Sequence, residues 1–152
     1  MDHLAADAHF MNKALNEAEK AFQKNEVPVG AVLVIDNKII ARSYNKKEAS
    51  FDPTAHAEIL ALKAGARKIG NWRLSDATLY VTKEPCIMCA GAMVNARLFR
   101  LVYGCRDSKG GAAESLYKLL SDKRLNHRVK IVSGVMDKEC AELLKRFFRV
   151  RR

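Results

Sequence analysis

Apolar positions along the chain fall into alternating blocks of helical and extended spacing. Met11, Ala14, Leu15, Ala18, Ala21 and Phe22 recur at helical intervals, with Lys13, Glu17, Glu19 and Lys20 off that stripe, which predicts an amphipathic helix over residues 9–24. Residues 29–35 are apolar apart from one glycine and read as a fully buried strand. Asp36-Asn37-Lys38 then reads as a turn, and residues 39–44 return as a second strand. Asp52-Pro53-Thr54 offers a cap residue and a proline near the first helical position, so a helix is predicted from there to about residue 68. Residues 77–82 form a third predicted strand, and Pro85 opens a helix over residues 86–96. Strands follow at 98–103 and 128–135, with a helix candidate at 112–120 between them. Residues 137–152 close the chain as a helix with Asp137, Glu139 and Glu142 early and Lys145, Arg146, Arg149, Arg151 and Arg152 late, which suits the helix dipole.

Helices between strands argue for an α/β fold whose mostly parallel sheet is covered on both faces, with the opening hairpin adding one antiparallel pair. Residues 105–127 leave room for a helical crossover, so the fourth and fifth strands can be parallel neighbours. No repeat or linker interrupts the pattern, and 152 residues suit one domain, residues 1–152.

Composition adds a charge argument. The net charge of +10 points to a negatively charged partner, nucleic acid first and an anionic membrane surface second. Against the membrane, no apolar run approaches the roughly 18 residues of a span. Residues 1–10 carry Asp2 and Asp7 and no apolar stretch of the secretory kind. Four cysteines are too few for a disulfide scaffold, so a cytoplasmic address with reduced thiols is expected, and a C-x-x-C pair there suggests metal or redox chemistry.

Two stretches carry that chemistry: Thr54-Ala-His-Ala-Glu58 and Glu84-Pro-Cys-Ile-Met-Cys89. Two thiolates (Cys86, Cys89) and one imidazole (His56) are donors that zinc prefers, and a catalytic zinc keeps a fourth position for water. Each piece alone has a plainer reading. C-x-x-C between a strand and a helix also describes a thiol redox site, a single histidine is usually an ordinary helix residue, and a glutamate in a first turn serves the dipole. His56 and Glu58 are also about 200° apart on an ideal helix, so they can serve one metal only at a helix end.

Together, His56-Ala57-Glu58 and Pro85-Cys86-Ile87-Met88-Cys89 resemble the H-x-E…P-C-x-x-C signature of the zinc deaminases. VPVGAVLV (27–34), DPTAHAEI (52–59), DATLYVT (76–82), EPCIMCAGAM (84–93), NHRV (126–129) and FFRVRR (147–152) are similar to the bacterial tRNA adenosine deaminase family of the TadA type, from about residue 8 to the end. The resemblance implies a three-layer α/β/α cytidine-deaminase-like fold with a five-stranded mixed sheet. It implies one Zn2+ per chain on His56, Cys86 and Cys89, with Glu58 as proton shuttle. The implied reaction is hydrolytic conversion of adenosine to inosine at the wobble position of the tRNA anticodon. It further implies that Asn45 binds the nucleoside, that Asp107 and Lys109 line the path of the RNA loop, and that Asn126, Phe147, Phe148 and Arg149 contact RNA. The implied partners are the tRNA anticodon stem-loop and a second copy of the chain in a homodimer, with no membrane.

Three rival readings stay open at this point: a deaminase of a free base or nucleotide, a thiol redox protein, and an RNA-binding module with a structural zinc. In the last, Cys105 would complete a closed Cys₃His site. Intact Glu58 and the Asn45 loop make sense only for an open site, so Cys105 is expected not to be a ligand.

Overall fold

The computed structural model describes residues 3–151; Met1, Asp2 and Arg152, the last of which the sequence pattern places in the final helix, lie outside the described residues. The elements are α1 (His3–Gln23), β1 (Gly30–Ile35), β2 (Lys38–Tyr44), α2 (Ala57–Ile69), β3 (Thr78–Lys83), α3 (Ile87–Asn95), β4 (Arg100–Cys105), β5 (Lys130–Val132) and α4 (Asp137–Val150). The five strands form one sheet in the order β2-β1-β3-β4-β5.

Alternation along the strands divides the core into two layers. Leu33, Leu79, Val81, Leu101 and Tyr103 face the side covered by α2 and α3, where they meet Ala57, Ala61, Ala90 and Met93. Val32, Val34, Tyr80 and Val102 face the other side, against Phe10, Met11 and Ala14 of α1 and Cys140 of α4. The α1 helix lies unusually close to β1: a Cβ on Gly30 would stand 2.1 Å from the Ala14 carbonyl oxygen, so only glycine fits there. The sheet is thus covered on both faces, as expected.

Four local expectations change. The α1 helix begins at His3 and not near residue 9, because Leu4, Ala5, Ala6 and Ala8 favour helix. Asp7 is also tied into the fold there, accepting hydrogen bonds from Tyr80 (2.8 Å) and Arg100 (3.0 Å). The sheet has two antiparallel pairs, since β1 runs antiparallel to both β2 and β3, while β3-β4 and β4-β5 are parallel. Residues 112–120 are not a helix but turns ending in a single 3₁₀ turn, Leu119–Ser121, because their backbone N–H groups bond elsewhere. The last strand shrinks to Lys130–Val132, and positive φ at Gly134 (80°) and Met136 (57°) turns the chain into α4.

Candidate active site

The site forms where two helix N-termini meet the carboxyl ends of the parallel strands β3 and β4, the usual ligand position in such sheets. His56 is the N-cap of α2, with extended φ/ψ of −75°/151°. The helix therefore starts at Ala57, four residues later than the sequence suggests. The Asp52 carboxylate accepts instead from the N–H (2.8 Å) and hydroxyl (2.7 Å) of Thr54, fixing the turn before the helix. His56 stands outside the helix and Glu58 in its first turn, so the half-turn conflict between them disappears. Cys86 is likewise the N-cap of α3, with φ/ψ of −76°/178°, and Cys89 lies in the first turn.

His56 Nδ1 is 3.6 Å from Cys86 Sγ and 3.4 Å from Cys89 Sγ. These three donor atoms form the one group of metal-capable side chains found among the described residues. Zinc–nitrogen and zinc–sulfur bonds of about 2.05 and 2.3 Å at a tetrahedral angle would put N and S about 3.5 Å apart. The donors present therefore fit a zinc ion in type and spacing. The thiols have opposite tendencies. Cys86 is pulled down to about 3, first by the hydrogen bond from Cys89 and also by His56, against the effect of burial. Cys89 is pushed up, first by that same bond and then by burial. The Cys86 hydrogen bond raises the pKa of His56. A divalent cation at this point would take the place of the shared protons.

Glu58 is 4% exposed, and burial pushes its carboxyl above the ordinary range despite the nearby His56. It interacts with the Cys89 thiol. A cavity of about 240 Å³ opens onto this group and is lined by Val27, Val29, Asn45, Lys47, His56, Ala57, Glu58, Lys83, Glu84, Cys86, Asp107 and Phe148. The chemistry available is a metal-capable triad beside a buried proton acceptor, at the floor of a cleft of nucleobase size.

The other residues named from the sequence divide. Asn45 is buried at the cavity wall, its Nδ2 donating to the Val27 carbonyl (3.3 Å) and its Oδ1 accepting the Lys47 N–H (3.2 Å). Asp107 lines the cavity and pairs with Lys83 at 3.2 Å. Burial opposes its charge, yet the Lys109 N–H and Lys83 outweigh that and hold its pKa low. Phe148 is half exposed and lines the cavity. Lys109, Asn126 and Arg149 are exposed and outside the lining, and Arg149 pairs with Glu142 at 2.7 Å. Phe147 is the correction: it is 4% exposed and packs edge-on against Phe22, so it is a core residue with no free face for RNA. Cys105 sits apart from the triad, its Sγ donating to the Thr82 carbonyl at 3.5 Å within the α1/α4 core layer.

Sequence reasoning missed two buried carboxylates that shape the cleft. Glu26 (1% exposed) accepts the N–H groups of Glu48 (3.0 Å) and Ala49 (2.7 Å), holding the loop after Asn45. Glu84 (3% exposed) does the same for the loop after β4. Neither has a sequence signal beyond being an acid; Glu84 stands inside the metal motif without an evident task.

A mixed five-stranded sheet carrying this triad and this glutamate at its carboxyl edge defines a nucleobase deaminase in class. A model of the MafB19-like deaminase family matches residues 5–152. The chain is 48% identical over 146 residues to a tRNA-specific adenosine deaminase of Bacillus subtilis (strain 168), with 96% of this chain and 91% of the relative covered. A structure solved in a study of A-to-I editing by tRNA:A34 deaminases is 47% identical, with a TM-score of 0.86 over 89% of this chain and 98% of that one. A guanine deaminase structure from Bacillus subtilis is 35% identical, with a TM-score of 0.65 over 77% of this chain and 71% of that one. The chain belongs to the MafB19-like deaminases by that model and to the tRNA-specific adenosine deaminase family by its relatives.

Proposed function

We propose that residues 1–152 act as one zinc-dependent deaminase domain that converts adenosine to inosine at the wobble position of a tRNA anticodon. The observation that carries this is the buried Glu58 carboxyl beside the His56, Cys86 and Cys89 donors on one open cavity. Zinc held by those donors supplies a Lewis acid that makes a water proton easier to remove. Glu58 takes that proton and delivers it to N1 of adenine while the water oxygen adds to C6. Glu58 then moves a second proton, from the new C6 hydroxyl, to the amino group. The C6–N bond breaks, and adenosine and water become inosine and ammonia. In this reading Asn45, held at the cavity wall by Val27 and Lys47, orients the nucleoside.

An anticodon loop suits this cleft because its bases are already unpaired, which avoids much of the unstacking cost of a few kcal/mol. The net charge of +10 favours RNA over a free base. Incubation with total tRNA, followed by sequencing, should reveal A-to-inosine change at the wobble base and none on free adenosine or guanine. Turnover of free guanine with tRNA left untouched would replace this reading by the free-base one.

A homodimer is part of the proposal. The outer face of α2 and α3 carries an apolar cleft lined by Ile59, Leu62, Ala66, Trp72, Leu74 and Ala92, with exposed Ile69 and Ile87 on the same two helices. A second copy would cover it, and sedimentation should give twice the chain mass. No helix among the described residues is long and apolar enough to cross a membrane. Four free cysteines suit the cytoplasm, where thiols stay reduced.

A further inference from the structure

The chain between β4 and β5 folds as turns around one side chain. Glu84, between β3 and the Pro85-Cys86 turn, accepts the Asp107 N–H on Oε1 (3.0 Å) and the N–H groups of Glu114 (2.8 Å) and Ser115 (2.9 Å) on Oε2. The Ser115 hydroxyl donates to the same carboxylate. The Glu84 backbone N–H in turn donates to the Cys105 carbonyl at 2.9 Å. Donors come at this group from both ends of the loop, and all of them need an acceptor. Gly111 leaves the room: a Cβ there would stand 2.4–2.5 Å from the carboxylate atoms. A carboxylate is costly to bury unless its oxygens are filled, so its presence and the loop's shape are interdependent.

We propose that Glu84 is a positioning residue for the substrate, joining the turn that carries Cys86 to the loop that carries Asp107, so that the rim of the cavity is set in register with its floor. The inference rests on the deaminase reading above. Asp107 is the point of contact: its N–H is held by Glu84 and its carboxylate by Lys83, and its side chain and Glu84 both line the cavity. The donors His56, Cys86 and Cys89 and the proton carrier Glu58 stand at the starts of α2 and α3, outside the loop. Loosening the loop should therefore weaken the grip on RNA more than it slows the reacting groups.

The test uses Glu84→Gln and Gly111→Ala with an anticodon stem-loop RNA, following zinc content, steady-state kinetics and equilibrium binding. In Glu84→Gln an amide NH₂ faces backbone donors, and in Gly111→Ala a methyl group displaces the carboxylate from the opposite side. Both should keep the parent's zinc content and raise KM and Kd at least about tenfold, with kcat within about threefold. Ser115→Ala, which keeps the three backbone donors, should fall between them and the parent. Unchanged KM and Kd with only a lower melting temperature would reduce Glu84 to a structural residue and overturn the proposal. Zinc lost in step with activity would overturn it too, by placing Glu84 in the metal turn. If Glu84→Gln does not fold, Gly111→Ala makes the same distinction. A parent that binds the RNA without turning it over would sink the deaminase reading, while the Kd comparison would still judge the positioning role.

Discussion

His56 Nδ1 stands 3.4 Å from Cys89 Sγ across 33 residues of sequence, and each belongs to the first residues of a different helix. The fold brings the N-termini of α2 and α3 to one point. The unpaired N–H groups of both then favour the negative charge that a thiolate pair brings.

Removing a donor should therefore cost both metal and stability. Cys86→Ala and Cys89→Ala are each expected to lose zinc and to lower the urea midpoint, because metal binding is linked to folding. Plasma mass spectrometry of protein purified without chelator measures the first and fluorescence the second. Equal zinc in the parent and in both variants would defeat the ligand assignment.

Glu58 is buried beside the donors, and its proposed role is to carry the proton and not to hold the metal. Glu58→Gln should retain zinc and bind the stem-loop with near-parental Kd. Its kcat should fall by about 10²- to 10⁴-fold, the usual worth of a positioned proton carrier. Activity within tenfold of the parent would show that another group moves the proton.

The sequence made the metal motif legible because its donors sit at helix starts, where Pro85 marks the boundary of α3. It misplaced the start of α2, because Asp52 bonds to Thr54 and not to the helix. Residues 112–120 have helical composition, and nothing local reveals that Glu84 takes the Glu114 and Ser115 N–H groups from 30 and 31 residues away. Strand direction was also hidden. The apolar run of β1 is equally compatible with a parallel or antiparallel β3, and only the assembled sheet chooses.

Phe147 and Phe148 illustrate the same limit and give a test. Adjacent residues on a helix point about 100° apart, so one ring can enter the core while the other meets solvent. Phe147 is 4% exposed and Phe148 50%, and only Phe148 lines the cavity. Phe147→Ala should destabilise the fold by about 3–5 kcal/mol. Phe148→Ala should change stability little and raise Kd for the stem-loop by about tenfold, the value of one base stacked on an aromatic ring. Urea titration and fluorescence anisotropy separate the two, and a reversed pattern would refute the assignment.

Cys105 separates an open zinc site from a closed one. It lies at the end of β4, paired in register with Lys83 on β3, and is near the cleft in sequence terms. Its thiol is bonded to the Thr82 carbonyl and packed in the layer that holds Cys140, away from the triad. Burial pushes its pKa above that of an ordinary thiol, whereas Cys86 is pulled down to about 3. Cys89 is pushed up as well, so place and not acidity separates the two thiols: Cys89 stands 3.4 Å from His56 Nδ1, and Cys105 is outside the group. A third sulfur, as fourth ligand, would also fill the position that water needs and leave Glu58 with no proton to move. Cys105→Ser should therefore keep the parent's zinc content and deaminase activity, at a cost to stability of about 1–2 kcal/mol for a more polar group in an apolar layer. X-ray absorption of the parent should report two sulfur ligands; three sulfurs, or zinc lost in the variant, would close the site and remove the hydrolytic mechanism with it.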